Sequence, residues 1–319
     1  MRIGICVESS HAKGMGHLFR ALNFMDYLNN QNESYVVFVN NDPVACRILR
    51  SKNIQFKTVN LSDFISDWES RVILQYGIDL WVNDRLNTDV KHSLNVLKNN
   101  IKLVTFDDRG SGAELADIHV ASLFFGNAEE LKGKKVLTGL EYLILNKEID
   151  KYKRIRENIN NIIVTLGGTD TYGVTLKVVE ILNELSRKAT IHLGLSFNHH
   201  KELAALINEQ FKIIKHVPSL IKTFYDYDLA ITGGGITPFE ANVSGLPCLT
   251  ISSEVHEIET CLYLKELGAS LYLGHRDTIT SEIFEDAFSV INLNQMSNIG
   301  ISQITTSGVK NIMDELGKL

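Results

Sequence analysis

Short runs of β-branched and aliphatic residues alternate along the chain with longer stretches of helical period. Residues 2–7, 35–39, 54–58, 79–82 and 101–106 have the length and composition of strands, with amphipathic segments between them. The rhythm restarts at residues 161–166 and continues through 190–195, 211–214, 229–232, 247–251 and 270–273. Strands alternating with helices imply βαβ units on a mostly parallel sheet, so the pattern predicts an α/β protein of two doubly wound, Rossmann-like halves. Between the two series, residues 147–160 (KEIDKYKRIRENIN) are charged and break the strand rhythm, which places the linker there. The expected domains are residues 1–148 and 160–302, and residues 303–319 have the spacing of a helix with the option of crossing back over the first domain. The sequence shows no internal repeat and no low-complexity tract.

Length agrees with this division, because 319 residues exceed the roughly 250–300 that one hydrophobic core supports. A formal charge of −6 gives no electrostatic reason to expect nucleic acid. A small anion is compatible with that charge, since backbone amides hold phosphate without help from lysine or arginine. Cys6, Cys46, Cys248 and Cys261 are far apart and form no CxxC, so buried free thiols are expected rather than disulfides or a zinc site. The apolar run at residues 3–7 is too short for a signal peptide, and no stretch approaches the ~18 apolar residues of a membrane span. A cytoplasmic location is expected, with peripheral attachment to a membrane left open.

Ligands of parallel α/β domains bind at the carboxyl ends of strands, and three glycine-rich turns fall there. They are Gly14-Met15-Gly16-His17, Gly167-Gly168-Thr169-Asp170, and Gly233-Gly234-Gly235-Ile236-Thr237. Any one of them fits a tight strand-to-helix corner equally well. Three at equivalent positions of two domains favour a ligand, with the helix starts offering N–H groups to phosphate. The dinucleotide fingerprint GxGxxG fails at Phe19 and the P-loop GxxxxGK[ST] is missing, which removes oxidoreductase and ATPase readings. His17 opens a helix beside its glycine turn, where an imidazole serves either as a general base near neutral pH or as a helix-end or core residue. Asp226-Tyr227-Asp228 has the DxD form of metal-dependent sugar transferases, but it precedes a strand and fits a structural role better. Asp107-Asp108-Arg109 follows a strand and either reaches the ligand or braces its loop, and His199-His200 is expected at the surface of a helix start.

Several of these segments resemble one family. Residues 8–28, ESSHAKGMGHLFRALNFMDYL, are similar to its ASxxxGxGHxxRxLxLAxxL opening. Thr105-Phe106-Asp107-Asp108 resembles its IDD loop, residues 139–145 (GLEYLIL) its GPEYALLR segment, residues 166–170 (LGGTD) its FGGSD, and residues 229–240 (LAITGGGITPFE) its LAIxAGGSTxWE. The family is that of the UDP-2,4-diacetamido-2,4,6-trideoxy-β-L-altropyranose hydrolases of pseudaminic acid biosynthesis, with the related spore-coat polysaccharide proteins, in the GT-B group of nucleotide-sugar enzymes.

The resemblance implies a GT-B architecture with an interdomain cleft and a UDP-sugar as partner, with no metal and no cofactor. It implies that Gly234, Gly235 and Thr237, with the backbone of Ile236, hold the pyrophosphate, that Glu240 binds the ribose, and that Gly168 and Thr169 lie nearby. His256 and Glu257 would face the sugar, and Gly14, Gly16, Arg20 and Asp107 would complete the substrate site in the first domain. His17 matches the family's catalytic histidine, which deprotonates a water that attacks the anomeric carbon with inversion. Two departures are visible: Ile236 replaces a serine and removes a hydroxyl donor, and His256-Glu257 replaces an Asn-Gln pair. An inverting glycosyltransferase with the same donor site, and a noncatalytic nucleotide-sugar-binding protein, are the other readings. The sequence leaves the identity of the sugar and the oligomeric state open.

Overall fold

Strand β1 (Arg2–Val7) is buried from its second residue onward, so both its faces are covered. This is the signature of a central strand in a parallel sheet with helices on either side. In the computed structural model, which describes residues 1–9, 15–123, 131–194, 196–215, 217 and 219–318, β1 is an interior strand of a seven-stranded sheet. The strands are β1, β2 (Ser34–Asn40), β3 (Phe56–Val59), β4 (Leu80–Asp84), β5 (Lys102–Phe106), β6 (Ile118–Ala121) and β7 (Val136–Thr138), in the order β3-β2-β1-β4-β5-β6-β7. A second, six-stranded sheet holds β8 (Ile162–Thr165), β9 (Ala189–Leu193), β10 (Phe211–Lys215), β11 (Leu229–Gly233), β12 (Cys248–Ser252) and β13 (Ser270–His275), in the order β10-β9-β8-β11-β12-β13. The recorded pairings are parallel, and the direction of strand progression reverses between β1 and β4 and again between β8 and β11. Such switch points open the sheet end where ligands sit in doubly wound folds.

The chain divides into two compact units, residues 1–145 with 307–319, and residues 146–306. In unit 1, helices α1 (Gly16–Asn30) and α2 (Pro43–Ser51) cover one sheet face, while α3 (Trp68–Tyr76) and α4 (Val90–Leu97) belong to the other. The second face is aromatic, with Phe38 stacked on Trp81 at 5.2 Å and Trp68 tilted against Phe38 and edge-on to Trp81. Helix α12 (Gly308–Leu316) packs against α1 and residues 140–142 and adds Val309 and Ile312 to the core. It is anchored by Asn311 Nδ2 donating to Glu141 O at 2.7 Å and by the Lys135–Glu315 ion pair. Unit 2 contains α5 (Val174–Glu184), α6 (His200–Leu206), α7 (Leu220–Phe224), α8 (Thr237–Val243), α9 (Glu257–Leu267), α10 (Ser281–Val290) and α11 (Leu293–Gln303).

Strands β6 and β7 are absent from the sequence expectation. The first carries a buried histidine, His119, in its middle, and the second is three residues long, so neither produces a clear apolar run. The charged stretch 147–160 is fastened to unit 2 instead of hanging as a free linker. Arg154 pairs with Asp228 at 2.9 Å and donates to Tyr225 O and Tyr227 O. Arg156 is 1% exposed and gives its N–H groups to carbonyls of Arg154, Phe224, Tyr227 and Ser244. Burial, with Arg154 beside it, pushes the Arg156 guanidinium down to about 9.

Asp228 also accepts N–H bonds from Asn160 and Asn161, each 3.0 Å, so the DxD-like segment is a brace. His199 is not merely solvated, because its ring nitrogen contacts Asp170 O at 3.1 Å and ties α6 to the loop after β8. All four cysteines are buried and free. Among the described residues no helix is long and apolar enough to cross a membrane, and no cluster of three His, Cys, Asp or Glu is placed to hold a metal.

Candidate functional site

In unit 1 the chemistry collects at the carboxyl ends of β1, β4 and β5. Helix α1 begins at Gly16, where the space in which a side chain would stand is open, and presents His17 in its first turn. Asp84 closes β4, directly beside β1, and is buried with its carboxylate aimed at α1. His17 Nδ1 lies 2.6 Å from Asp84 Oδ1. An ionised carboxylate only accepts, so the proton sits on Nδ1 and the lone pair of the partly exposed imidazole is on Nε2. Arg20 Nη2, 3.2 Å from the same Nδ1, is then a neighbouring donor that the shared carboxylate holds in place.

Arg20, one turn along α1 from His17, locks the arrangement. Its Nε and Nη2 donate to Asp84 Oδ2 and Oδ1 at 2.9 and 2.6 Å, its Nη1 pairs with Asp107, and its guanidinium lies over the Phe106 ring. Asp107 turns back toward α1 with a positive φ of 46°, a conformation that aspartate tolerates better than most residues. Burial pushes the Asp84 carboxyl up, but the Arg20 charge and its hydrogen bonds, with those of His17, win and hold it below the usual carboxylate range. The two aspartates likewise outweigh burial and raise the Arg20 guanidinium. Asp84 is thus a fixed anion that orients His17, a part of the site not foreseen from sequence. The signal was the polar pair Asn83-Asp84 at the end of a strand whose expected boundary was set two residues too early. Gly14 lies outside the described residues.

Unit 2 presents two glycine turns side by side, because β8 and β11 are neighbours. Gly167, with φ +91°, and Gly168 and Gly235 have open space where a Cβ would stand. Gly234 differs: a Cβ there would come within 2.6 Å of Glu257 Cβ and 2.8 Å of Cys261 Sγ. Glycine is required at 234 by the approach of α9, a packing reason that holds whether or not a ligand also lies there. Gly234→Ala is therefore expected to destabilise the fold by about 1–3 kcal/mol through overpacking, whereas Gly235→Ala should leave the melting temperature unchanged. Thermal unfolding of the two variants checks this, and equal stability would contradict the packing argument.

The N–H groups of Gly235, Ile236 and Thr237 find no acceptor among the described residues. Glu240, one turn into α8, is half-buried with no hydrogen-bonded or charged partner for its side chain among the described residues, and burial pushes its carboxyl up to about 7. Thr169 Oγ1 contacts Thr171 Oγ1 at 3.2 Å in the exposed loop after β8. His256 is exposed at the start of α9. Glu257 does not stand free, because its Oε2 accepts the N–H groups of Ser253 at 2.7 Å and Glu254 at 3.3 Å and so closes the loop after β12.

No protein-family model matches the chain. It is 26% identical to the uncharacterized protein MJ1062 of Methanocaldococcus jannaschii over 355 aligned positions, 98% of this chain and 72% of that one. It is 24% identical to the spore coat polysaccharide biosynthesis protein SpsG of Bacillus subtilis over 304 positions, 88% of this chain and 86% of that one. Among solved structures, MurG of Acinetobacter baumannii superposes with a TM-score of 0.67 at 14% identity, covering 100% and 99% of the two chains. HepE of Anabaena, solved in complex with UDP, superposes with a TM-score of 0.70 at 10% identity over 100% of both. Identities this low establish the fold alone, which is the two-domain, Rossmann-like GT-B fold.

Proposed function

We propose that this chain is a nucleotide-sugar hydrolase of surface-polysaccharide or pseudaminic-acid-type sugar biosynthesis, with UDP held by unit 2 and His17 as the general base. The observation that carries the reading is the His17–Asp84 pair, whose geometry leaves Nε2 as the free base. In the reaction a water oxygen bonds to the anomeric carbon as its proton passes to His17 Nε2. The bond from that carbon to the β-phosphate oxygen breaks, and UDP leaves with the electron pair. Gly235, Ile236 and Thr237 would give their N–H groups to the pyrophosphate, and a preorganised donor of this kind is typically worth about 3–4 kcal/mol of barrier. Gly168 and Thr169 would lie against the nucleotide, and Arg20 and Asp107 would act through Asp84. The likeness to SpsG and to the UDP-bound HepE fold supports this assignment. An inverting glycosyltransferase is the second reading, since the same base accepts the proton of a sugar hydroxyl and the fold is shared with MurG. Incubation with UDP-, GDP- and CMP-sugars without acceptor, followed by NMR, separates them: free sugar and UDP are expected, and an intact donor in every case would sink the hydrolase.

Glu240 gives this assignment a second test. A carboxylate on the ribose hydroxyls forms charge-assisted bonds, so Glu240→Ala should weaken UDP by about 1.5–3 kcal/mol in calorimetry, and unchanged affinity would remove the ribose role. Its carboxyl titrates near 7 in the fold against 4.5 when unhindered. The folded state therefore binds the extra proton, and this contribution to stability is full below pH 4.5 and is lost as pH rises through 7. Glu240→Gln should consequently be more stable than wild type at pH 8, by about 2 kcal/mol after allowance for partial exposure, and no more stable at pH 4.5. Denaturant melts at the two pH values measure the difference.

A further inference from the structure

Strand β1 gives way to α1 and its His17, and one side chain from β2 fixes the place where it does so. Val7 is the last β1 residue in the ladder with β2, where it pairs with Val39. Two residues on, Ser9 is completely buried, so its backbone N–H and C=O need partners away from water. Both come from Asn40, the residue that closes β2. Its Oδ1 accepts the Ser9 N–H at 2.8 Å, and its Nδ2 donates to Ser9 O at 2.6 Å. An amide offers an acceptor and a donor side by side, so the Asn40 side chain continues a ladder that the β2 backbone no longer supplies. Asn40 is itself held on a rigid support. It pairs with Val59 of β3, and its carbonyl accepts the N–H of Asp42, the residue that caps α2.

From Ser9 the constraint passes to α1. Ser9 Oγ donates to Met15 Sδ at 3.3 Å, and Met15, buried in the core of unit 1, accepts the Phe19 N–H on its carbonyl at 3.1 Å as α1 begins. His17 stands two residues beyond Met15. On the other side of β1, the Glu8 backbone N–H donates to Asp84 O at 3.0 Å, and the same Asp84 holds the His17 ring through its carboxylate. The end of β1 is thus gripped by β2 through Asn40 and by β4 through Asp84, and the start of α1 is tied to it. A contact of 2.6 Å between Nδ1 and Asp84 leaves little room for α1 to shift, so whatever sets the helix start also sets the direction of Nε2.

We propose that Asn40 is a positioning residue for His17. By fixing Ser9, and through Ser9 the start of α1 at Met15, it keeps the imidazole on Asp84 with Nε2 directed at the reacting hydroxyl or water. Asn40 acts through these neighbours and not on the substrate, and support of this kind from a rigid element is what holds a reacting group in productive geometry. The effect on turnover rests on the nucleotide-sugar reading, whereas the hold on the ring does not.

Wild type, Asn40→Ala, Ser9→Ala and the double variant are compared by heteronuclear NMR of the His17 ring nitrogens, by steady-state kinetics and by UDP calorimetry. In wild type the ring is expected as the Nδ1–H tautomer. Asn40→Ala should mix the two tautomers and lower turnover about ten- to hundredfold, the effect of displacing a reacting group by about 1 Å, while UDP affinity stays within about twofold. Ser9→Ala, which removes only the hydroxyl, should act in the same direction. The double variant should be no worse than Asn40→Ala, because both changes break one chain of contacts. An unchanged ring spectrum in Asn40→Ala overturns the proposal, as does unchanged turnover or a double variant whose losses multiply. If wild type consumes no sugar nucleotide, the nucleotide-sugar reading fails and the ring spectra alone decide the hold of Asn40 on His17. Should Asn40→Ala not fold, Ser9→Ala takes its place, and an unchanged ring spectrum or turnover in that variant overturns the proposal.

Discussion

His17→Asn is expected to lose roughly 10²–10⁴-fold in turnover while its affinity for UDP stays within about twofold. Asparagine keeps a polar group of similar reach at the start of α1 and removes the imidazole Nε2 left free by the Nδ1–Asp84 bond. The UDP contacts proposed for unit 2 do not involve it, so binding and chemistry separate. Steady-state kinetics and calorimetry on the same preparation decide the matter. Near-normal turnover in His17→Asn, with any sugar nucleotide that wild type consumes, would reduce the histidine to a structural role.

The second large effect belongs to Asp84. Asp84→Asn preserves shape but takes away the charge facing both His17 and Arg20, and it frees the imidazole to adopt the other tautomer. Turnover should fall about as far as in His17→Asn. Stability should fall as well, by about 3 kcal/mol, because a buried guanidinium loses one of its two counter-charges. The Asp84 carboxyl is held below its ordinary value in the fold. Its contribution is therefore present above the ordinary carboxylate pKa of 3.8 and is lost as pH falls below it through the folded value. Urea melts at pH 7 should show the deficit, and Arg20→Met placed on top of Asp84→Asn should recover part of it, since the orphaned cation is gone. Equal midpoints for Asp84→Asn and wild type at pH 7 would refute this account of the cluster.

How far the sequence carries is clearest at these residues. Alternating apolar runs and helical periods specify two parallel-sheet halves because burial on both faces of a central strand leaves a run such as residues 2–7 almost without polar residues. The glycine turns and His17 are visible for the same local reason, as each follows a strand. Asp84 lies 67 residues from His17, and nothing local marks it as the partner. The pairing of β1 with β4, a property of the sheet order, brings the two together. Gly234 shows the converse, since the neighbouring helix supplies a packing reason for glycine that the sequence pattern does not display. Arg154 and Arg156 sit in a stretch whose charge resembles a solvated linker, and only the carbonyls they meet reveal a clasp.

The return of residues 307–319 to unit 1 bears on how the protein is made. Unit 2 is continuous in sequence, so during synthesis all of its strands leave the ribosome before α12 does. Unit 1 has its seven strands first but lacks Val309 and Ile312, which close its core, until the end of that passage. Of the two, the unit that starts first is the one that finishes last, and in the interval the surface of α1 and of residues 140–143 that α12 packs against awaits its cover.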